Sequence, residues 1–342
     1  MWERCHIGPR RTEKTLQTVL PPVLGLDIGG TKLAAGVLLP DNTVAGLMSE
    51  PTQLEQGPPA CIARLIRLGE RAVAAAGLDA SVIGAAGISC GGPLDAVAGV
   101  LHSPVHLPGW TDIPIVDLVA GHFRVPTVLK NDATAGAWGE YRFGAGRGVQ
   151  SMAYLTISTG IGGGAVIDGR LYGGAAGNGG EFGHQVVRQG GRKCKCGRNG
   201  CVEAYASGTA IAERAADAVG SGRLSSLSRL ATITAADVAS AAGTDALASE
   251  LWDEAMGSLG EAVTNLVNIL EPEVVVLGGG VTRSGKVVET MRRAVSSMAM
   301  PPVAGVCRLE LAQLGQASCV AGAAALALDR LGDLQSMSSE SI

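Results

Sequence analysis

The residues best suited to chemistry lie in two neighbouring segments, Gly180-Glu181-Phe182-Gly183-His184 and Cys194-Lys195-Cys196-Gly197-Arg198-Asn199-Gly200-Cys201-Val202-Glu203. Thiolates and an imidazole are the usual donor set of a closed tetrahedral zinc site. His184, Cys194, Cys196 and Cys201 would fill all four positions, so the ion would be structural, with no coordination site open to a substrate. A redox thiol group is the competing reading. Glu181 and Glu203 suit a thiolate site poorly, but they accept well from hydroxyls. The segment therefore reads as a metal-pinned loop that presents carboxylates to something polyhydroxylated.

Three glycine-rich turns could meet phosphate. In Asp27-Ile28-Gly29-Gly30-Thr31-Lys32, Gly29 and Gly30 carry no Cβ, so backbone amides can approach phosphate oxygens. Thr31 adds a hydroxyl there. Asp27 could hold the water shell of Mg²⁺, a cation that keeps several waters and needs few carboxylates. The second turn, Ser158-Thr159-Gly160-Ile161-Gly162-Gly163-Gly164, again offers hydroxyls and amides. The third, Leu277-Gly278-Gly279-Gly280, closes an apolar strand. Each alone could be an ordinary turn; as a set they point to nucleotide. Gly280 to Lys286 mimics a P-loop, but Val287 stands where Ser or Thr must ligate Mg²⁺. The candidate reacting group is Asp132, in Asn131-Asp132-Ala133-Thr134-Ala135-Gly136. A helix N-terminus favours its ionised form, which could accept a hydroxyl proton, while the Asn131 amide holds a neighbouring hydroxyl. The alternative is that Asp132 is a plain N-cap.

The elements that must position these groups follow from periodicity. Strands are expected over 23–29 and 34–39, with a third after Asp41-Asn42. Helical spacing covers 57–76, through Ile62, Leu65, Ile66, Leu68 and Val73. A buried strand over 82–89 ends in Gly91-Gly92-Pro93. A strand over 126–130 runs into a helix over 133–143. The second half has a strand over 152–158, a glycine turn over 160–164 and a return strand over 165–168. Helices then dominate to residue 270. They are followed by strands over 273–277 and 309–314 and helices over 285–298 and 321–331. Residues 24–38 and 154–169 echo one another as strand, glycine turn with threonine, strand, as two hairpins facing across a cleft would. Residues 1–21 read as a flexible extension and 333–342 as a flexible tail.

Composition excludes several classes. The net charge of −4, without a basic run, disfavours a nucleic-acid surface. Aromatics at 3% leave no stacking platform. No apolar stretch reaches the roughly 20 residues of a membrane helix. Outside the metal cluster, Cys5, Cys61, Cys90, Cys307 and Cys319 are scattered singly, as buried thiols are. With Pro21-Pro22 breaking the apolar part of the amino terminus, the expected compartment is cytoplasmic.

Taken together, these residues resemble the ROK family of sugar kinases, in the actin/hexokinase-like ATPase superfamily, over roughly residues 22–331. Asp27 to Lys32 resembles that family's first phosphate motif and residues 156–164 its second. Residues 274–280 resemble its adenosine-side strand and turn. Glu181 to His184 with Cys194, Cys196, Cys201 and Glu203 resembles its zinc and sugar signature, and Asn131-Asp132 its catalytic pair. The resemblance implies a two-lobed, ribonuclease H-like α/β fold with a structural zinc loop. The smaller lobe would be 22–132 plus 320–332, and the larger 133–319. It also implies ATP-dependent phosphorylation of a hexose, with Asp132 as general base on the primary hydroxyl and Mg²⁺ with ATP. Gly92, Asn131, Glu181, His184 and Glu203 would bind the sugar, His184 sharing its second ring nitrogen with Zn²⁺. Asp27, Gly29, Gly30, Thr31, Lys32, Ser158, Thr159, Gly160, Gly278 and Gly279 would face ATP. Glucose is the first expected acceptor. N-acetylmannosamine or N-acetylglucosamine comes second, and a sugar-sensing regulator without turnover third. One departure is His106, which stands ahead of Leu107-Pro108-Gly109-Trp110 where glucose-phosphorylating members carry Asn; it is either a sugar contact or a structural loop residue. Family repressors carry an amino-terminal helix-turn-helix, for which the 21 residues here are too few. The expected partners are sugar and ATP, with no nucleic acid and no membrane, in a homodimer or homotetramer.

Overall fold

The computed structural model of the chain describes residues 20–339, apart from 176 and 285. Two five-stranded sheets carry the fold, and each is wound the same way. In the first, β1 (Val23–Ile28), β2 (Lys32–Leu38) and β3 (Val44–Pro51) form an antiparallel meander. β4 (Ala85–Cys90) and β7 (Thr127–Asn131) then add on parallel to β1, giving the order β3-β2-β1-β4-β7. Between them come α1 (Gly57–Ala75), the small hairpin β5 (Leu94–Asp95) and β6 (Val100–Leu101), and α2 (Ile115–Phe123). After α3 (Asp132–Phe143) the second sheet repeats the plan. Its meander is β8 (Met152–Ile157), β9 (Ile161–Ile167) and β10 (Arg170–Leu171).

The helices α4 (Glu203–Ala206), α5 (Gly208–Gly220), α6 (Ala235–Ala241) and α7 (Ala246–Leu270) intervene before β11 (Val274–Gly278). Next come α8 (Val287–Met298), α9 (Pro301–Ala304), β12 (Arg308–Leu311) and α10 (Ser318–Ser339). The order is β10-β9-β8-β11-β12, with β11 and β12 parallel to β8. The internal echo read from the sequence is thus β1/β2 and β8/β9, at matching places in two sheets.

Three apolar clusters follow from strand alternation. Leu24, Leu26, Ile28, Ile88 and Cys90 pack outward with Leu65, Leu68 and Ile115 of α1 and α2. Leu155, Ile157, Val275 and Leu277 pack outward under α5 to α9. Val23, Ala85, Trp138, Tyr154, Val276, Ala324 and Leu328 fill the layer between the sheets. That layer is made by α3, lying on β8 and β9, and by α10, lying on β1 and β4. The two helices cross almost backbone to backbone. A Cβ at Gly322 would stand 1.7 Å from the Ala135 carbonyl oxygen, so only glycine fits.

Two sequence expectations need correction, and a third falls largely outside the described residues. The turn placed over 160–164 is shorter: Ser158 N–H donates to the Gly160 carbonyl, and Gly162, Gly163 and Gly164 already belong to β9. The last helix starts at Ser318, not 321, and runs to Ser339, so most of the tail expected over 333–342 is helical. The extension expected over 1–21 lies, up to residue 19, outside the described residues. Among the described residues no helix is long and apolar enough to cross a membrane.

Candidate active site and metal cluster

Parallel pairing brings three loops to one sheet edge. Ile28 pairs with Cys90, and Cys90 with Asn131, so β1, β4 and β7 end in line. The Gly29-Gly30 turn, the Gly91-Gly92 loop and Asn131-Asp132 therefore emerge side by side, at the carboxyl ends of parallel strands where α/β folds collect ligands. The first turn is closed by Gly29 N–H donating to the Lys32 carbonyl at 3.0 Å. It is braced by the buried Thr52, whose hydroxyl donates to the Gly29 carbonyl at 2.6 Å. Thr31 is exposed above it.

Asn131, not Asp132, caps α3. Its Oδ1 accepts from Ala133 N–H at 3.0 Å and Thr134 N–H at 3.2 Å. The plain-cap alternative for Asp132 is thereby set aside, because the cap is already filled. Asn131's amide nitrogen has no protein partner among the described residues. Asp132 is the first helical residue, and its Oδ1 accepts from Ala133 N–H at 2.7 Å. Its second oxygen has no partner among the described residues, on a half-buried side chain. Burial raises the Asp132 pKa, against the pull of the Ala133 amide and of His106. Asp27, next to last in β1, accepts from the Ser89 hydroxyl at 2.7 Å. Burial pushes its carboxyl up to about 6, with Ser89 opposing and the Asp132 charge adding to the rise.

His106 is held over this edge by Leu107 and Trp110, both buried in the first core. Its carbonyl lies against Gly30 and its ring against Gly91: a Cβ on Gly91 would fall 2.4 Å from Cε1. Nε2 is 3.9 Å from Cys90 Sγ.

The second turn sits on the other sheet. Ser158 and Thr159 are exposed, and the Ser158 carbonyl accepts from Gly208 N–H at the start of α5 at 2.7 Å. Gly278 ends β11. Gly279 follows at φ +91°, so close to β8 that a Cβ would lie 2.3 Å from the Ile157 carbonyl oxygen.

The metal-type cluster is assembled. One donor atom from each of His184, Cys194, Cys196 and Cys201 lies within 4.8 Å of the others. Cys196 and Cys201 Sγ are 3.7 Å apart, as are Cys194 Sγ and His184 Nδ1. A tetrahedron with arms of about 2.3 Å has edges of about 3.8 Å, so the donor set fits such an ion, and no disulfide joins the described cysteines. Tight turns shape the loop: Cys194 N–H donates to the Arg198 carbonyl and Gly197 N–H to that of Cys194. His184 turns Nε2 towards Glu181, 3.8 Å away, while Glu181 itself is exposed.

The start of β9 joins the cluster to α3. Glu203 Oε2 accepts from Ile161 N–H at 3.0 Å, and its Oε1 is 3.6 Å from Cys194 Sγ. Gly183 packs on the Ile161 carbonyl, and Gly162 packs on Ala133 beside Asp132. Three supporting residues escape sequence reading. Ser89 and Thr52 look like strand residues, and Glu140 looks like a solvent-facing helix residue. In fact Glu140 is fully buried and accepts from Ala145, Gln313 and Leu314 N–H and from the Ser318 hydroxyl at 2.8–3.1 Å.

Comparison with known proteins identifies the family. The ROK family model matches residues 23–330, and the chain belongs to the ROK family. It is 32% identical to a glucokinase of Thermotoga maritima, covering 91% of this chain and 98% of that one. It is 33% identical to an N-acetylmannosamine kinase of Yersinia pseudotuberculosis, covering 82% and 89% respectively. A ROK family glucokinase of Streptomyces griseus, solved in complex with glucose and AMPPNP, superposes with a TM-score of 0.73. It is 30% identical, over 90% of this chain and 99% of that chain.

Proposed function

We infer that the protein is an ATP-dependent hexose kinase that phosphorylates the primary hydroxyl of glucose to give glucose 6-phosphate. The observation that carries this reading is the meeting of Asp27, Asn131 and Asp132 at one sheet edge, with one Asp132 oxygen fixed and the other free of partners among the described residues. The glucokinase relatives support glucose as acceptor and ATP as donor.

Phosphoryl transfer asks the protein mainly to position and to stabilise charge. Asp132 takes the proton from the sugar hydroxyl on its free oxygen. The Ala133 amide holds the other oxygen and fixes the angle of approach. Asn131 binds a neighbouring hydroxyl through its free amide nitrogen. Glu181, His184 Nε2, Glu203 and the loop at Gly92 bind the rest of the ring. Gly29, Gly30, Thr31, Lys32, Ser158, Thr159 and Gly160 cradle the phosphates from two sides, and Gly278 and Gly279 receive the adenosine. Mg²⁺, when bound with ATP, neutralises charge on the transferred group; Asp27 fits its water shell because one carboxylate oxygen has no partner among the described residues. His184, Cys194, Cys196 and Cys201 would hold a structural Zn²⁺, whose donor set is complete without a water.

The test is a coupled ADP-release assay with glucose, mannose, fructose, allose, N-acetylmannosamine and N-acetylglucosamine. The expected result is the highest kcat/KM with glucose. Failure to turn over any of these sugars would refute the reading. The Yersinia relative favours a second reading, N-acylhexosamine phosphorylation, which a higher kcat/KM for N-acetylmannosamine would establish in place of glucose.

A further inference from the structure

Asp27 has a built support that neither the turn it precedes nor its charge explains. β1 and β4 are parallel, and Asp27 pairs directly with Ser89, so their side chains leave the sheet together. The neighbouring pairs, Leu26 with Ile88 and Ile28 with Cys90, point to the other face and fill the first core. On the Asp27 side the preceding pair is Gly25 with Gly87. There α10 comes down onto the sheet: a Cβ at Gly25 would stand 2.2 Å from the Val320 carbonyl oxygen, and one at Gly87 would stand 1.8 Å from that of Ala323. Asp27 and Ser89 are therefore the first rung beyond the end of α10, on the side of the sheet that α10 covers.

Ser89 is fully buried. Its one hydroxyl proton has two acceptors in reach, Asp27 Oδ1 at 2.7 Å and the Leu26 carbonyl at 3.3 Å. The shorter, charge-assisted bond takes it. Asp27 has no other hydrogen-bond donor among the described residues, so Ser89 alone fixes the rotation of this carboxylate. We propose that Ser89 is a positioning residue for phosphoryl transfer: by holding Asp27 Oδ1 it directs the second carboxylate oxygen towards the hydrated cation that accompanies ATP.

The proposal rests on the kinase reading of Asp27. It is tested with full-length Ser89→Ala, Ser89→Thr and Asp27→Asn variants. Two readouts are used: steady-state kinetics, and Mn²⁺ binding in the presence of ADP followed by electron paramagnetic resonance. Melting temperatures establish that each variant is folded. Ser89→Ala is expected to weaken Mn²⁺ binding and to lower kcat, each by about tenfold, the worth of one hydrogen bond to a charged group. The sugar KM should stay within about twofold. Ser89→Thr keeps the donor and should restore both. If Ser89→Ala behaves as the wild type while Asp27→Asn is impaired, the proposal fails and the kinase reading stands. Equal losses in the alanine and threonine variants also overturn it, since they would mean packing rather than donation. An unimpaired Asp27→Asn overturns both the proposal and the role of Asp27.

Discussion

Two half-buried carboxylates, Asp27 and Asp132, share one sheet edge and raise the cost of charge there. Burial is the leading cause of the upward shift in both, and the Asp132 charge adds to that of Asp27. Chemistry needs both ionised, so kcat/KM should fall as pH drops through about 6, the value reached by Asp27. A profile flat from pH 7.5 to about 5, well below that range, would contradict these roles. The same shifts act on stability with the opposite sign. A carboxyl whose pKa is higher folded than unfolded binds its proton more tightly in the native state. The contribution of Asp27 to stability is thus greatest below the ordinary carboxylate range and declines as pH rises towards about 6. At this scale the sequence names the charged groups well, because Asp at a strand end and Asn-Asp before a helix are local signals. It does not divide the work within Asn131-Asp132. Which residue caps depends on where the first helical turn begins, and the capping oxygen turns out to be that of Asn131. Ser89 and Thr52 were illegible for a different reason: their partners lie across the sheet, and nothing local marks a strand hydroxyl as a brace.

Among the elements, α3 and α10 matter most, because they fill the space between the sheets. Glu140 ties the end of α3 to the 313–318 segment that leads into α10. Glu140→Ala would leave three backbone amides without their acceptor, while the Ser318 hydroxyl keeps the Gly315 carbonyl at 3.0 Å. It should destabilise the protein by about 3 kcal/mol or more, measured by denaturant unfolding; a loss under about 1 kcal/mol would contradict the anchoring role. The reverse holds for Ser258 in α7, whose buried hydroxyl has no partner among the described residues. Ser258→Ala should be neutral or stabilising by up to about 1 kcal/mol, read as an unchanged or higher melting temperature. The strands and the repeated hairpin are legible in apolar runs and their spacing, whereas the order of the strands in each sheet comes from the fold. The error over 160–164 has a physical cause. Glycines usually signal a turn, but Gly162, Gly163 and Gly164 lie within β9, where the missing side chains admit Ala133, Phe182 and Ala137. Only the packing partner distinguishes a glycine that bends a chain from one that lets another chain approach.

Across the whole molecule, two sheets of one plan meet through a helical layer, and the metal-type loop is fastened to α3 through Ile161 and Gly162. Losing the ion should therefore disturb substrate binding at a distance from the cysteines. Cys196→Ser is expected to lose bound zinc, measured by atomic absorption, and to raise the sugar KM by about tenfold through misplaced Glu181 and Glu203. Full zinc occupancy with unchanged kinetics would contradict the fit of this donor set. Asp132 as the group that deprotonates the sugar is the point on which the functional account turns. Asp132→Asn preserves an oxygen for the Ala133 amide and removes only the basicity, so turnover and sugar binding can be compared in one folded variant. Turnover should fall by about 100-fold or more while the calorimetric Kd for glucose stays within about threefold; a kcat close to that of the wild type would contradict the account.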